Sequence, residues 1–145
     1  MQRQEKGVAS TMVAIDADGD PRRIIGFFCI IPHEFRGEEL PNPWRKFTDV
    51  GKLKAVPGLL LAQLGVHKDC QHQGIGTFLV TQVFRRAIAL VEAVGCAAIV
   101  ADPIDANAIK LYTGFDFQPL SDGTARMIVP MKTVADAIAR IDALV

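Results

Sequence analysis

The chain is poor in cysteine, carries no excess of either charge, has no long apolar run, and holds one tyrosine and one tryptophan. Its three cysteines, Cys29, Cys70 and Cys96, form an odd and widely spaced set. Neither a disulfide framework nor a zinc site follows from that pattern, and a reducing cytoplasm suits it. Sixteen Lys and Arg balance sixteen Asp and Glu. No global positive field therefore marks a polyanionic partner, although a local basic patch fits inside a neutral total. No apolar stretch approaches the roughly 20 residues of a membrane span, and the N-terminus lacks the apolar core of a signal peptide. Internal repeats and low-complexity segments are also missing.

What is present is a chain of 145 residues, half of them apolar, enough to bury a core as one domain spanning residues 1–145. Residues 11–17 and 23–32 are apolar and β-prone, with Asp18, Gly19, Asp20 and Pro21 between them, which predicts a hairpin. Residues 33–57 lose that pattern and read as a long connection with one short helix around residues 44–53. The nearly unbroken apolar run over 58–66 predicts a central strand covered on both faces.

From Ile75 to Val94 two neighbouring rows, Leu79, Val83, Ala87, Leu90 and Val94 beside Val80, Phe84, Ile88 and Val91, predict an amphipathic helix. Gly95 stands where a left-handed cap belongs, and residues 96–101 read as a further buried strand. Asp105 caps a short helix that Gly114 closes, with Phe115 packing back on it. Residues 115–120 and 124–132 predict two last strands around Ser121, Asp122 and Gly123. A final helix starts at Thr133, with capping spacing to Asp136 and a stripe at Val134, Ile138, Ile141 and Val145. The order describes an α/β (α+β) domain with a mixed sheet and helices on its faces.

The chemistry concentrates where the central strand ends. Gln71, His72, Gln73, Gly74, Ile75 and Gly76 lie between that strand and the long helix. Free backbone N–H groups, the positive end of the helix dipole and two glycines together make an anion cradle suited to a diphosphate. A Rossmann fingerprint would need glycine at Leu79 and an acidic residue about 20 positions on, and neither is present. A Walker loop would need a Gly-Lys-Ser/Thr ending, which is absent. Cys70 is an isolated small residue, and His67 and His72 lack a spaced partner for metal binding.

Strand, Gln-x-x-Gly-x-Gly, helix, strand and a short helix with Asn107 and Tyr112 resemble the acetyl-CoA site of the GNAT superfamily of N-acetyltransferases, over about residues 59–117. The resemblance implies a GNAT-like, mostly antiparallel sheet flanked by helices. It implies that the glycine loop, with Thr77, holds the pyrophosphate of acetyl-CoA, and that the backbone of Leu64, Gly65 and Val66 pairs with the pantetheine arm. One of those N–H groups would polarise the thioester carbonyl. Asn107 would touch the same arm, and Tyr112 would protonate the departing thiolate. No metal is implied. The base stays open among Glu34, Glu38, Glu39 and water.

The run 64–69 with its glycine loop, the stretch 108–117 with Leu-Tyr-x-Gly-Phe, and residues 126–131 resemble one GNAT branch, the bacterial toxins that acetylate aminoacyl-tRNA. That likeness implies aminoacyl-tRNA as acceptor, an antitoxin partner, a homodimer and a cytoplasmic site of action. Arg22, Arg23, Arg45, Lys46, Lys52 and Lys54 would then form a basic rim, and a first strand and helix would be truncated. Two alternatives stay open. One is an acetyltransferase for small or protein amines, and the other is a non-catalytic acyl-CoA-binding or partner-binding module.

Overall fold

The computed structural model describes residues 9–36, 56–120 and 123–144. The predicted short helix around residues 44–53, and Glu38, Glu39, Arg45, Lys46, Lys52, Lys54, Ser121, Asp122 and Val145, lie outside the described residues. Along the chain come β1 (Ser10–Ile15), β2 (Ile24–Phe35), β3 (Val56–Val66), a 3-10 turn at Lys68–Cys70 and α1 (Ile75–Ala93). β4 (Ala98–Ala101), α2 (Ala106–Gly114), β5 (Gln118–Pro119), β6 (Met127–Pro130) and α3 (Met131–Asp142) follow. The strands form one six-stranded sheet in the order β1-β2-β3-β4-β6-β5. Among the described strands only the β3–β4 pairing is parallel. Order and sheet type match the sequence reading.

Side-chain alternation divides the sheet into two faces. Phe28, Ile30, Leu59, Leu61, Ile99, Ala101, Met127 and Val129 turn to one face. There they meet Leu79, Val80, Val83, Phe84 and Ala87 of α1, Tyr112 of α2, and Val134, Ala137 and Ile138 of α3. Phe35, Val56, Ala98, Val100 and Ile128 turn to the other face. Between Val56 and Leu61 β3 is thus largely buried on both faces, as its apolar run predicts, whereas Ala62 and Gln63 are exposed. All three described helices contribute to the first cluster.

The register of β3 slips once. Cys29 pairs with Gln63 but Ile30 pairs with Leu61, leaving Ala62 as an extra residue. Such a bulge resets the alternation. Leu59 and Leu61 point to the helical face before it, and Leu64 and Val66 pack toward that face after it.

Three local expectations are corrected. α2 includes Gly114, and the left-handed residue is Asp116 (φ +66°), two positions on. The chain turns there because the Phe115 and Phe117 N–H groups both donate to the Tyr112 carbonyl, at 3.0 and 3.1 Å. α3 begins at Met131 after Pro130 with no side-chain cap, so Thr133 lies inside the helix and not at its start. Proline at the boundary sets an extended φ of −76° and ends β6 directly against the first helical turn. Finally, the apolar rows of α1 reach beyond the core: Val91 and Val94 are exposed. Gly95 does take the expected left-handed conformation (φ +94°), and the three cysteines are free.

Phe84 is fully buried and stacks edge-on against Phe115 at 5.4 Å, with Phe117 at 6.1 Å. It ties α1 to the segment leaving α2. Phe84→Ala is expected to cost about 3 to 5 kcal/mol in urea denaturation. A loss below about 1 kcal/mol would contradict this packing.

Candidate active site

β3 pairs with β4 only through Leu59, Leu60 and Leu61, opposite Ile99, Val100 and Ala101. β4 then stops, while β3 continues to Val66, still paired with β2 on its other edge. Between the diverging segments lies a cleft of about 690 Å³, within the range of small-molecule sites. Among the described residues β3 has no partner strand on the cleft side from Ala62 onward, so backbone groups there are open to an extended ligand, although the Val66 carbonyl already accepts from Gln71.

The floor of the cleft is shaped by close backbone packing. A Cβ on Gly65 would sit 2.5 Å from the Phe27 ring, and one on Gly76 would sit 3.2 Å from Leu111 Cδ2. Glycine at these positions lets β2 pack on β3 and α2 pack on the start of α1.

The loop after β3 is held by its own hydrogen bonds. The His67 N–H donates to the Ile25 carbonyl at 2.8 Å, and His67 Nδ1 accepts from the Asp69 N–H at 3.1 Å. Gln71 Nε2 donates to the Val66 carbonyl at 3.3 Å. Gln73 Nε2 lies 3.5 Å from the Asp69 carbonyl. Arg23 reaches across from the hairpin to Asp69 at 3.7 Å. The two glutamines therefore brace the loop. His72 and Gly74 both adopt positive φ, +66° and +82°. A non-glycine residue held left-handed costs roughly 1 to 2 kcal/mol, so the loop shape is imposed on His72.

Gly74 is the N-cap of α1, offers no side-chain cap, and is followed by no acidic residue in the first turn. A Cβ built on it would meet nothing within 4 Å. The opening N–H groups of α1 therefore lack helical partners, and Gly74 itself faces the cleft. With the positive end of the dipole added, this is a site for a phosphate group.

Tyr112 stands on the opposite wall. Asp105 caps its helix by accepting from the Ala108 N–H at 2.8 Å. The ring packs beside Phe117 at 5.2 Å. The residue is 4% exposed and lines the cleft, and its hydroxyl makes no hydrogen bond among the described residues. A buried hydroxyl left without a partner costs free energy, so an orphan on a residue that lines a cleft marks a place for a ligand. Burial first, then the nearby Asp102 and Asp105 carboxylates, push its pKa up from the ordinary 10 to about 12. Asp102 is itself bound side-on by Arg126, at 2.8 and 2.9 Å.

Of the residues singled out by sequence, Leu64, Gly65, Val66, Gln71, His72, Gly74, Gly76, Thr77, Asn107 and Tyr112 line this one cleft. Gln73 and Ile75 are not among the described lining residues: Gln73 turns back to the loop, and the Ile75 side chain packs toward the core. Glu34 pairs with Pro57 toward the far end of β3, about 13 Å of strand from Leu61, and does not line the cleft. Sequence reasoning missed Ala62, Gln63, Asp102, Ile104 and Lys110. The first two are exposed by the bulge, which has no motif. The other three follow from where β4 ends and how α2 is rotated. Among the described residues no cluster of His, Cys, Asp or Glu could hold a metal ion, and no helix is long and apolar enough to cross a membrane.

The GNAT acetyltransferase domain profile matches residues 7–119, most of the chain. The chain belongs to the GNAT acetyltransferase family. Within it, a probable toxin TacT of Sinorhizobium fredii (strain NBRC 101917 / NGR234) is 24% identical over 129 residues, which is 84% of this chain and 70% of that protein. A tRNA-acetylating toxin of Mycobacterium tuberculosis (strain ATCC 25618 / H37Rv) is 24% identical over 110 residues, 76% of this chain and 64% of the toxin. The solved structure of AtaT complexed with acetyl-methionyl-tRNAfMet has the same fold, with a TM-score of 0.78 at 18% identity, over 93% of this chain and 78% of that one. GNAT membership makes the chain an acyl-CoA-dependent N-acetyltransferase.

Tyr112 is the only tyrosine, so its ionisation can be followed alone. Below pH 10 the phenol is neutral whether the chain is folded or not. Between 10 and about 12 the folded chain keeps a proton that the unfolded chain releases, so this contribution to stability falls as pH rises. Tyrosinate absorbance is expected to rise with a midpoint near 12 in the folded protein and near 10 in denaturant. A folded midpoint at 10 would contradict the burial of the hydroxyl.

Proposed function

We propose that this GNAT domain transfers an acetyl group from acetyl-CoA to the amino group of aminoacyl-tRNA, as a toxin-like acetyltransferase. The observation that carries the transfer chemistry is that Tyr112, buried and with an unpaired hydroxyl, lines the same cleft as the glycine loop that starts α1. Gly74, Gly76, Thr77, His72 and the Ile75 backbone would hold the diphosphate, with Gln71 and Gln73 keeping the loop in shape. Leu64, Gly65 and Val66 would pair with the pantetheine arm, Asn107 would touch it, and a β3 N–H group would polarise the carbonyl. No metal takes part in this scheme.

In the reaction the neutral amine nitrogen attacks the carbonyl carbon, a C–N bond forms, the C–S bond breaks, and its electron pair leaves on sulfur. The nitrogen gives up one proton. A thiol of pKa about 8.5 is a better acid than a phenol near 12, so outright proton transfer from Tyr112 to the thiolate would run uphill by roughly 5 kcal/mol. Tyr112 therefore serves as a neutral hydrogen-bond donor to the developing thiolate. It passes its proton on only as it receives the one leaving the nitrogen, and so remains a phenol throughout.

The acceptor rests on likeness to the TacT and tRNA-acetylating relatives. It implies action in the cytoplasm, an antitoxin as protein partner, and a homodimer as the working form. A small or protein amine is the second reading, and the hairpin favours it. Arg22 is paired with Asp20 at 3.3 Å, and Arg23 lies within 4.0 Å of Asp16 and 3.7 Å of Asp69. Each is thus already partly neutralised before any nucleic-acid phosphate arrives.

Label from radioactive acetyl-CoA is expected on charged tRNA and not on uncharged tRNA or a panel of small amines. Tyr112→Phe is expected to lower the rate by about 10²- to 10⁴-fold. Label on small amines would overturn the tRNA reading, and an unchanged rate in the mutant would overturn the role of Tyr112.

A further inference from the structure

Acetyl-CoA brings two separate phosphate groups to this cleft, the diphosphate and the 3′-phosphate of its ribose. The amides at the start of α1 and the glycine loop provide for one of them. The dipole and the free N–H groups of one helix act only within about its first turn, so any protein contact to the second phosphate comes from another group.

Lys110 is the one lysine or arginine among the described residues that line the cleft. It is exposed and takes part in no hydrogen bond or ion pair among the described residues. Its place on α2 is fixed by its neighbours. Leu111, the next residue, is the side chain that a Cβ at Gly76 would meet at 3.2 Å, so this part of α2 lies against the start of α1. Asn107 is one turn earlier and also lines the cleft. Lys110 therefore stands at the rim, on the wall facing the glycine loop. The carboxylates lining the same cleft are already engaged: Asp102 by the Arg126 guanidinium, and Asp105 by the Ala108 N–H. The Lys110 ammonium is left as an uncommitted positive charge beside the cradle.

We infer that Lys110 binds the 3′-phosphate of the coenzyme and makes the chain discriminate coenzyme A from its 3′-dephospho form. A lysine suits this task as a flexible point charge that can follow a phosphate exposed to solvent. The inference rests on the acetyl-CoA reading of the cleft, and it adds a specificity residue that the glycine-loop motif does not contain.

The test is calorimetric titration of the whole chain with coenzyme A and with 3′-dephospho-coenzyme A, in wild type, Lys110→Ala and Lys110→Arg. Wild type is expected to bind coenzyme A roughly two- to fivefold more tightly than the dephospho form, as for an ion pair exposed to solvent. Lys110→Ala should bind both ligands about equally, at the wild-type affinity for the dephospho form. Lys110→Arg should keep most of the preference. Since Lys110 is exposed, melting temperatures of the three proteins should agree. A preference that survives in Lys110→Ala, or no preference in wild type, would overturn the inference while leaving the acetyl-CoA reading intact. Failure of wild type to bind either ligand would overturn both.

Discussion

Three residue pairs hold β3 to β4, and beyond them β3 runs on through residues 62–66 with that edge open. Unpaired backbone N–H and C=O groups in the middle of a sheet are unfavourable unless water or a ligand bonds to them. The rest of the site follows from this parting of the strands. The bulge at Ala62 resets the alternation of β3, so that Leu64 and Val66 pack toward the helices beyond the point where β4 has stopped. The hydrogen-bonded loop after Val66 then delivers α1 with its uncapped end beside the opening. On the far side, β4 ends at Ala101 and the capped α2 brings Tyr112 to face the same space. A strand-like pantetheine arm is a natural filler for such a gap, since it can bond to the edge that β4 leaves free.

Electrostatics within the cleft run in one direction. The start of α1 carries no acidic side chain, and the carboxylates on the α2 wall are tied down by Arg126 and by a helix cap. An anionic ligand therefore meets no free carboxylate along the described lining. Tyr112 is a phenol across the neutral range, and burial and those same two carboxylates extend that state to higher pH. A neutral donor with no partner of its own costs nothing to rearrange when charge appears on a leaving sulfur.

The fold was legible in the chain because its strongest signals are periodic. The rows of α1, the unbroken run of β3 and Gly95 each have one economical structural solution, and the structure adopts it. The boundaries that shifted are those set by competing local bonds. Gly114 looked like the end of a helix, but two N–H groups closing on the Tyr112 carbonyl moved the left-handed turn to Asp116. Thr133 looked like a cap, but Pro130 had already started the helix. The glycine loop was legible as a candidate site through its spacing and Tyr112 through the family resemblance, and Tyr112 lines one cleft with Gln71, His72, Gly74 and Gly76. Ala62 and Gln63 were not legible, because a bulge is decided by the register of two strands distant in sequence. Asp102 and Lys110 carry no motif either, and their place depends on where β4 ends and which way α2 is turned.

The central claim is that the open cradle at Gly74 binds the phosphates of acetyl-CoA, and calorimetry on Gly74→Asp tests it most directly. Nothing stands within 4 Å of a Cβ at this position, so the new side chain has room, although a left-handed φ of +82° penalises any residue but glycine. Comparison with Gly74→Asn separates the two effects, because asparagine tolerates that conformation similarly and lacks the charge. Acetyl-CoA binding is predicted to be lost in the aspartate variant and retained more strongly in the asparagine variant, with both proteins folded. An unaltered dissociation constant in Gly74→Asp would contradict the assignment of the cleft.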